Sequence, residues 1–236
     1  MKLGQRIYNR IAPPLIELRP KELQLLEQMY PDIEWDYVHC YKGMPWFMHY
    51  TFAIGTALPH TYKGRQIHIY LENYDQISTE QRLLILVHEA FHIQQYQELN
   101  DMGKDSKRWG FHRKFIRYYL GWYFQQLYQL YKSRKLSWSN CLQQAYRQHP
   151  MEAPAYRHEH LLAQHLALYR GHSVHNLLKQ VPNLVCTNAQ LPARPAFIFY
   201  VMGSILALTI SIIKPMLEIG LWGIALMLGG RKTNSL

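Results

Sequence analysis

The chain is poor in cysteine, in acidic residues and in leader-like sequence. Three cysteines, Cys40, Cys141 and Cys186, are scattered over 236 residues. That excludes a disulfide framework, and the odd count points to a reducing compartment. Glycine (13) and proline (12) are near ordinary usage and 14% of residues are aromatic, which excludes collagen-like, low-complexity and disordered classes. Residues 1–20, MKLGQRIYNRIAPPLIELRP, start basic but hold no continuous apolar stretch and no small-residue cleavage site, so they do not read as a secretory signal. With the unpaired thiols, this predicts a cytoplasmic N-terminal part. No Gly-x-Ser-x-Gly elbow or Gly-rich phosphate loop occurs, so neither a serine hydrolase nor a P-loop mechanism has a foothold.

Acids are outnumbered, 16 Asp+Glu against 26 Lys+Arg, for a formal charge of +10 and a pI of about 9.5. The bases are dispersed, as in Lys104, Lys107, Arg108, Arg113, Lys114 and Arg117, and no zinc-finger spacing or RNP-like signature accompanies them. Nucleic acid is therefore not an expected partner. An anionic membrane is a better match. Ala196–Ile213 runs eighteen residues without a charge, close to the roughly 20 needed to cross a bilayer core. Lys214 and Pro215 end this run, and a second apolar run, Ile219–Gly230, follows. A membrane segment over 196–230 is expected, either as one transmembrane helix or as a hairpin, with Trp222 available as an interfacial anchor.

Four regions follow from the patterning: a helical lead-in (1–34), one domain (35–180), a linker (181–195) and the hydrophobic segment (196–230). Apolar spacing predicts a helix within 14–30, and β-like runs appear at Trp35–Tyr41, Trp46–Ile54 and Gln66–Leu71. The last alternates polar and apolar residues, as an edge strand with one wet face would. A capping-box pair, Ser78 and Gln81, opens a long helix free of Pro and Gly that ends near Asn100. Further helices are expected at Phe111–Lys132, Trp138–Gln148, and from His149-Pro150 to about Arg170. Short strands followed by helices make the fold class α+β.

The chemistry is carried by His88-Glu89-Ala90-Phe91-His92 inside that long helix. Positions i and i+4 share a helix face, so both imidazoles can address one metal ion. Glu89 is turned about 100° from His88, within reach of a metal-bound water whose proton it can take. A catalytic zinc normally has three protein ligands and one open position. Glu152, in His149-Pro150-Met151-Glu152-Ala153-Pro154-Ala155-Tyr156, is the leading third ligand, with Glu159 or His158 as rivals. Glu152, Tyr156 and Glu159 fall at i, i+4 and i+7 on one face, so Tyr156 or Glu159 can support a ligand or a developing oxyanion by hydrogen bonding.

HEAFHIQQ followed by HPMEAPAY resembles small gluzincin-type zincins: an H-E-x-x-H helix, a trailing Gln and a later N/H-P-x-E-x-x-A motif. It is most similar to the minimal zincin family that also forms the core domain of contractile-injection-system cargo proteins. The resemblance covers about Asp36–Arg170. It implies a zinc peptidase fold in region 35–180, with His88, His92 and Glu152 as ligands and Glu89 as general base. The sequence departs from the pattern at Pro154 and at Pro59-His60-Thr61-Tyr62.

His158, His165 and His172 recur every seven residues, which reads as a wet helix face. The Tyr/Trp stripe in Phe115–Tyr131 reads as core and membrane-interface packing. The expectation is a membrane-anchored zinc metallopeptidase acting on a peptide or protein substrate. The alternative is an inactive zincin-like membrane protein that keeps its metal as a structural clamp for partner or membrane binding.

Overall fold

A computed structural model describes residues 13–45, 54–59, 67–101, 110–133, 136–168, 184–186 and 191–227. The fold is α+β, with a small mixed four-stranded sheet and six α-helices among the described residues. In chain order these are β1 (Leu15–Ile16), α1 (Pro20–Met29), β2 (Val38–Lys42), β3 (Gly55–Pro59), β4 (Ile67–Leu71), α2 (Thr79–Asp101), α3 (Gly110–Lys132), α4 (Trp138–Arg147), α5 (Glu152–Leu168) and α6 (Phe197–Met227). The sheet order is β1-β2-β4-β3, with β2 and β4 parallel and the outer pairs antiparallel.

Local signals account for the element ends. Pro20 starts α1, where its missing N–H costs nothing, and the Arg19 N–H donates to Glu22 Oε2 at 3.0 Å. The helix expected over 14–30 is thus preceded by a strand, because Leu15 and Ile16 pair with Tyr41 and Cys40. The Ser78–Gln81 capping box forms in both directions, at 3.0 and 3.1 Å. Trp35–Tyr37 forms a 3-10 turn ahead of β2 rather than the start of a strand. The run expected at 46–54 lies outside the described residues except for Ile54.

One expectation reverses. The 67–71 strand is interior, between β2 and β3, with Ile67, Ile69 and Leu71 buried. Its alternate residue His68 is buried too, among the rings of Tyr41 and Tyr70. Alternation therefore came from two covered faces of different chemistry rather than from one wet face. The edge beside it is β3, whose Gly and Pro hid it from a strand reading.

Helix α2 is the axis of the core. Leu86, Val87, Ala90, Ile93 and Tyr96 are buried on several of its sides, between the sheet, α1 and α5. The lead-in and linker regions belong to this core: Leu25, Leu26, Met29 and Tyr30 of α1 are buried in it, as are Leu184 and Cys186. The Cys186 N–H donates to the Met29 carbonyl at 2.8 Å, and Gln94 Nε2 donates to the Cys186 carbonyl. A buried Arg82–Glu22 ion pair joins α1 to the first turn of α2.

The tail is one helix. The chain continues through Lys214 and Pro215, so among the described residues there is no hairpin turn. Among the described residues, no helix is long and apolar enough to cross a membrane. The N-terminal half of α6 packs antiparallel on α3. A Cβ on Gly203 would lie 2.8 Å from the Arg117 carbonyl oxygen and 2.9 Å from the Gly121 nitrogen, so glycine sets the approach of the two backbones.

Candidate metal centre

Midway along α2, His88 and His92 turn their rings toward α5, and Glu152 meets them from the first residue of that helix. The turn before α5 is built by His149. Its ring stacks on Tyr119 at 4.2 Å, its Nε2–H donates to the Tyr119 carbonyl at 2.8 Å, and its Nδ1 accepts the Met151 N–H at 3.1 Å. Both ring nitrogens are thus used by a neutral imidazole, and burial lowers its pKa to about 4. The helix expected from His149-Pro150 starts at Glu152, because the Glu152 and Ala153 N–H groups both donate to the His149 carbonyl. Pro154 then falls in the first turn, where its missing N–H has no intrahelical acceptor to lose.

The three side chains close a near-equilateral triangle. His88 Nε2 lies 3.2 Å from His92 Nε2 and 3.2 Å from Glu152 Oε2, and His92 Nε2 lies 3.4 Å from the same oxygen. A tetrahedral ion with bonds of about 2.0–2.1 Å separates its ligand atoms by about 3.3–3.4 Å, so the spacing fits one. Outer partners fix which nitrogen faces inward. His88 Nδ1 lies 3.1 Å from Glu159 Oε2, and His92 Nδ1 lies 2.9 Å from Gln95 Oε1. The Gln95 amide is itself oriented by donating to the Met151 carbonyl at 2.9 Å. With both Nδ1 atoms donating outward, two Nε2 lone pairs and a carboxylate oxygen converge. Three acceptors at such distances repel unless a cation or a proton lies between them. The other Glu152 oxygen, Oε1, accepts the Tyr119 hydroxyl at 2.6 Å.

Without an ion, protons on the imidazoles take its place. Burial disfavours a charged His88, but hydrogen bonds to Glu152 and Glu159 outweigh it and carry the pKa up to about 10. Burial likewise opposes the charge on His92, and the Glu152 carboxylate more than compensates. Burial would raise the Glu152 pKa, yet the two imidazoles hold it well below the usual carboxylate range. The pocket is built to hold positive charge.

Glu89 lies on the sheet side of α2, against the edge strand. It is buried, which raises its pKa, while His88 and His92 pull the other way and the Ala57 N–H donates to its carboxylate. Its Oε2 has no hydrogen-bond partner among the described residues. Gly55 makes this contact possible: a Cβ there would lie 2.8 Å from Glu89 Oε1 and still closer to Ile85 Cγ2. On the same edge the Ala57 carbonyl accepts the Tyr96 hydroxyl at 2.7 Å, so α2 occupies both outward-facing backbone groups of Ala57.

The remaining sequence candidates divide. Tyr156 sits edge-on to the His88 ring at 4.6 Å, is 39% exposed, and hydrogen-bonds to Tyr146. Burial first, then the Glu152 charge, raises both phenols, which keeps them protonated as donors at neutral pH. Glu159 faces the outer nitrogen of His88, in the supporting position. His158 points away: its Nδ1 lies 3.2 Å from the Tyr30 hydroxyl and its ring packs on Phe91. Sequence reasoning missed Tyr119, Tyr146 and Gly55, and gave no role to Gln95, the trailing Gln of the HEAFHIQQ motif. Gln95 had a signal, since i, i+3 from His92 is within side-chain reach on a helix; the others come from distant segments. The far histidines of the seven-residue series, His172 and the neighbouring His175, lie outside the described residues.

Compared with known proteins, the chain matches no family model, no curated protein and no solved structure.

Proposed function

We propose that this protein is a zinc-dependent metallopeptidase of minimal zincin type. The observation that carries the reading is the convergence of two inward Nε2 lone pairs and a carboxylate oxygen, each backed by its own partner, beside a buried carboxylate with an unused oxygen. Two imidazoles and one carboxylate form a donor set that suits Zn2+. His88, His92 and Glu152 would hold the ion; when bound, it supplies Lewis acidity and a water of pKa near 7. Glu89 accepts a proton at Oε2 and passes it to the leaving amine. Tyr156, protonated beside His88 and accepting the Tyr146 hydroxyl, supplies one hydroxyl donor for an oxyanion. Burial of all four acid and imidazole side chains limits bulk water. Attachment to a membrane through residues 196–230 belongs to the same reading, supported by the uncharged run and by apolar side chains exposed along α6.

The test joins metal analysis to hydrolysis of an unfolded casein substrate. Wild type is expected to hold one zinc per chain, His88→Ala none, and Glu89→Gln one zinc with hydrolysis lost at least about 100-fold. Hydrolysis that survives Glu89→Gln refutes the peptidase. Tightly held zinc in a wild type without activity favours the structural-clamp alternative.

A further inference from the structure

The flank of α6 that faces away from α3 is apolar and uncovered by any described residue. Its inward stripe is Gly203 and Ala207, both buried, with Tyr200 and Ser204 partly so. Its outward stripe includes Phe197, Ile198, Val201, Met202, Ile205 and Leu208, with Phe197 81% and Ile205 63% exposed. Over residues 197–208 the two stripes divide the helix lengthwise, as in helices that lie along an interface.

What lies across the inward stripe decides how such a helix can meet lipid. The Ala196 N–H donates to Gln125 Oε1 at 2.8 Å, and Gly203 touches the backbone of Arg117. Antiparallel packing therefore sets Arg117, and Lys114 one turn further, level with the middle of the uncharged run 196–213. A perpendicular crossing would carry both cations to the bilayer centre, at about 100-fold in partitioning for each. An in-plane placement leaves them on the aqueous side.

The surroundings name the surface. Exposed Arg194 precedes α6 and exposed Lys132 ends α3, at the same end of the helix pair. Tyr128, its ring 5.7 Å from Phe199, and the Tyr131–Trp138 edge contact at 5.9 Å add exposed aromatics with polar tips there. Cations and amphipathic aromatics beside an apolar stripe are the recognition chemistry of an anionic headgroup layer. A second copy is the poorer occupant, because each chain carries +10.

We propose that the outward stripe of α6 embeds in the plane of an anionic lipid surface, without crossing it, and seats the domain there on its α3–α6 side. This rests on the membrane part of the proposed function and is independent of the metal, so zinc content and hydrolysis report separately on the peptidase.

The experiment is vesicle co-flotation of the full chain. It should float with phosphatidylcholine vesicles containing about 30% phosphatidylglycerol, at least about 10-fold better than with phosphatidylcholine alone, lose binding as salt rises, and be stripped by alkaline carbonate. Met202→Asp with Ile205→Asp, both on the exposed stripe, should cut flotation at least about 10-fold with the melting temperature and zinc content retained. Arg194→Ala with Lys132→Ala should reduce binding and flatten its salt dependence. Resistance to carbonate, equal binding to neutral vesicles, flotation unchanged in the aspartate variant, or a stable dimer in solution that ignores vesicles would each overturn the proposal.

Discussion

Replacing Gly55 by alanine sets two effects of opposite sign against each other. Alanine in a strand normally gains about 0.5–1 kcal/mol over glycine, because the unfolded chain loses freedom. At Gly55 the new methyl would lie 2.8 Å from Glu89 Oε1 and closer still to Ile85 Cγ2. Neither atom can yield easily: Ile85 is β-branched on a packed helix, and the Glu89 carboxylate is buried and bonded to Ala57. Ordinary contact needs about 3.4–4 Å, so β3 must retreat by roughly 1 Å. Overpacking of this kind costs about 1–3 kcal/mol, which outweighs the entropic gain. The retreat also draws the Ala57 N–H away from Glu89, and a 1 Å misplacement at a reacting group can cost about 100-fold in rate. Chemical denaturation should therefore show Gly55→Ala less stable than wild type, and casein hydrolysis should fall steeply with zinc content unchanged. A Gly55→Ala protein as stable and as active as wild type would refute the close approach of edge strand and carboxylate.

Two further outcomes follow from the partners around the triangle. His149 is held neutral with a folded pKa of about 4, below the unfolded value near 6.5, so the unfolded chain takes up the proton first as pH falls. Its contribution is complete above about pH 6.5 and is lost progressively down to about pH 4, by about 3 kcal/mol; the difference in urea-unfolding free energy between wild type and His149→Asn should shrink by about that amount across that window. Gln95→Leu should weaken zinc binding about 10–100-fold in chelator competition, because it frees the His92 ring to rotate, whereas Glu159→Ala should weaken it less, since that carboxylate is 31% exposed and water can replace it.

The sequence made some features of this arrangement readable and concealed others for physical reasons. His88 and His92 follow from helix periodicity alone, and the Ser78–Gln81 box marked where that helix begins. Glu152 was legible as an acid at a helix start, where the helix dipole also favours its negative charge. Its competitor Glu159 proved to face the outer nitrogen of His88, a distinction of a few ångströms that spacing cannot carry. Tyr119 was hidden in an aromatic-rich helix in which several tyrosines look alike. The edge strand was missed because the glycine that lets it touch Glu89 lowers its β-propensity. Burial on both sheet faces also mimicked the alternation of a solvent-facing strand.

Helix α3 carries Tyr119 on the flank turned to Glu152 and Gly121 on the opposite flank, where Pro195 and Tyr200 press against it. The same two turns of backbone therefore steady the third corner of the triangle and receive the load of the outer helix. Detaching that helix would leave α3 unsupported from behind and slacken the hydroxyl that braces the carboxylate. If the centre holds an ion as proposed, its affinity for that ion would read out whether the outer helix is seated on the far side of the molecule.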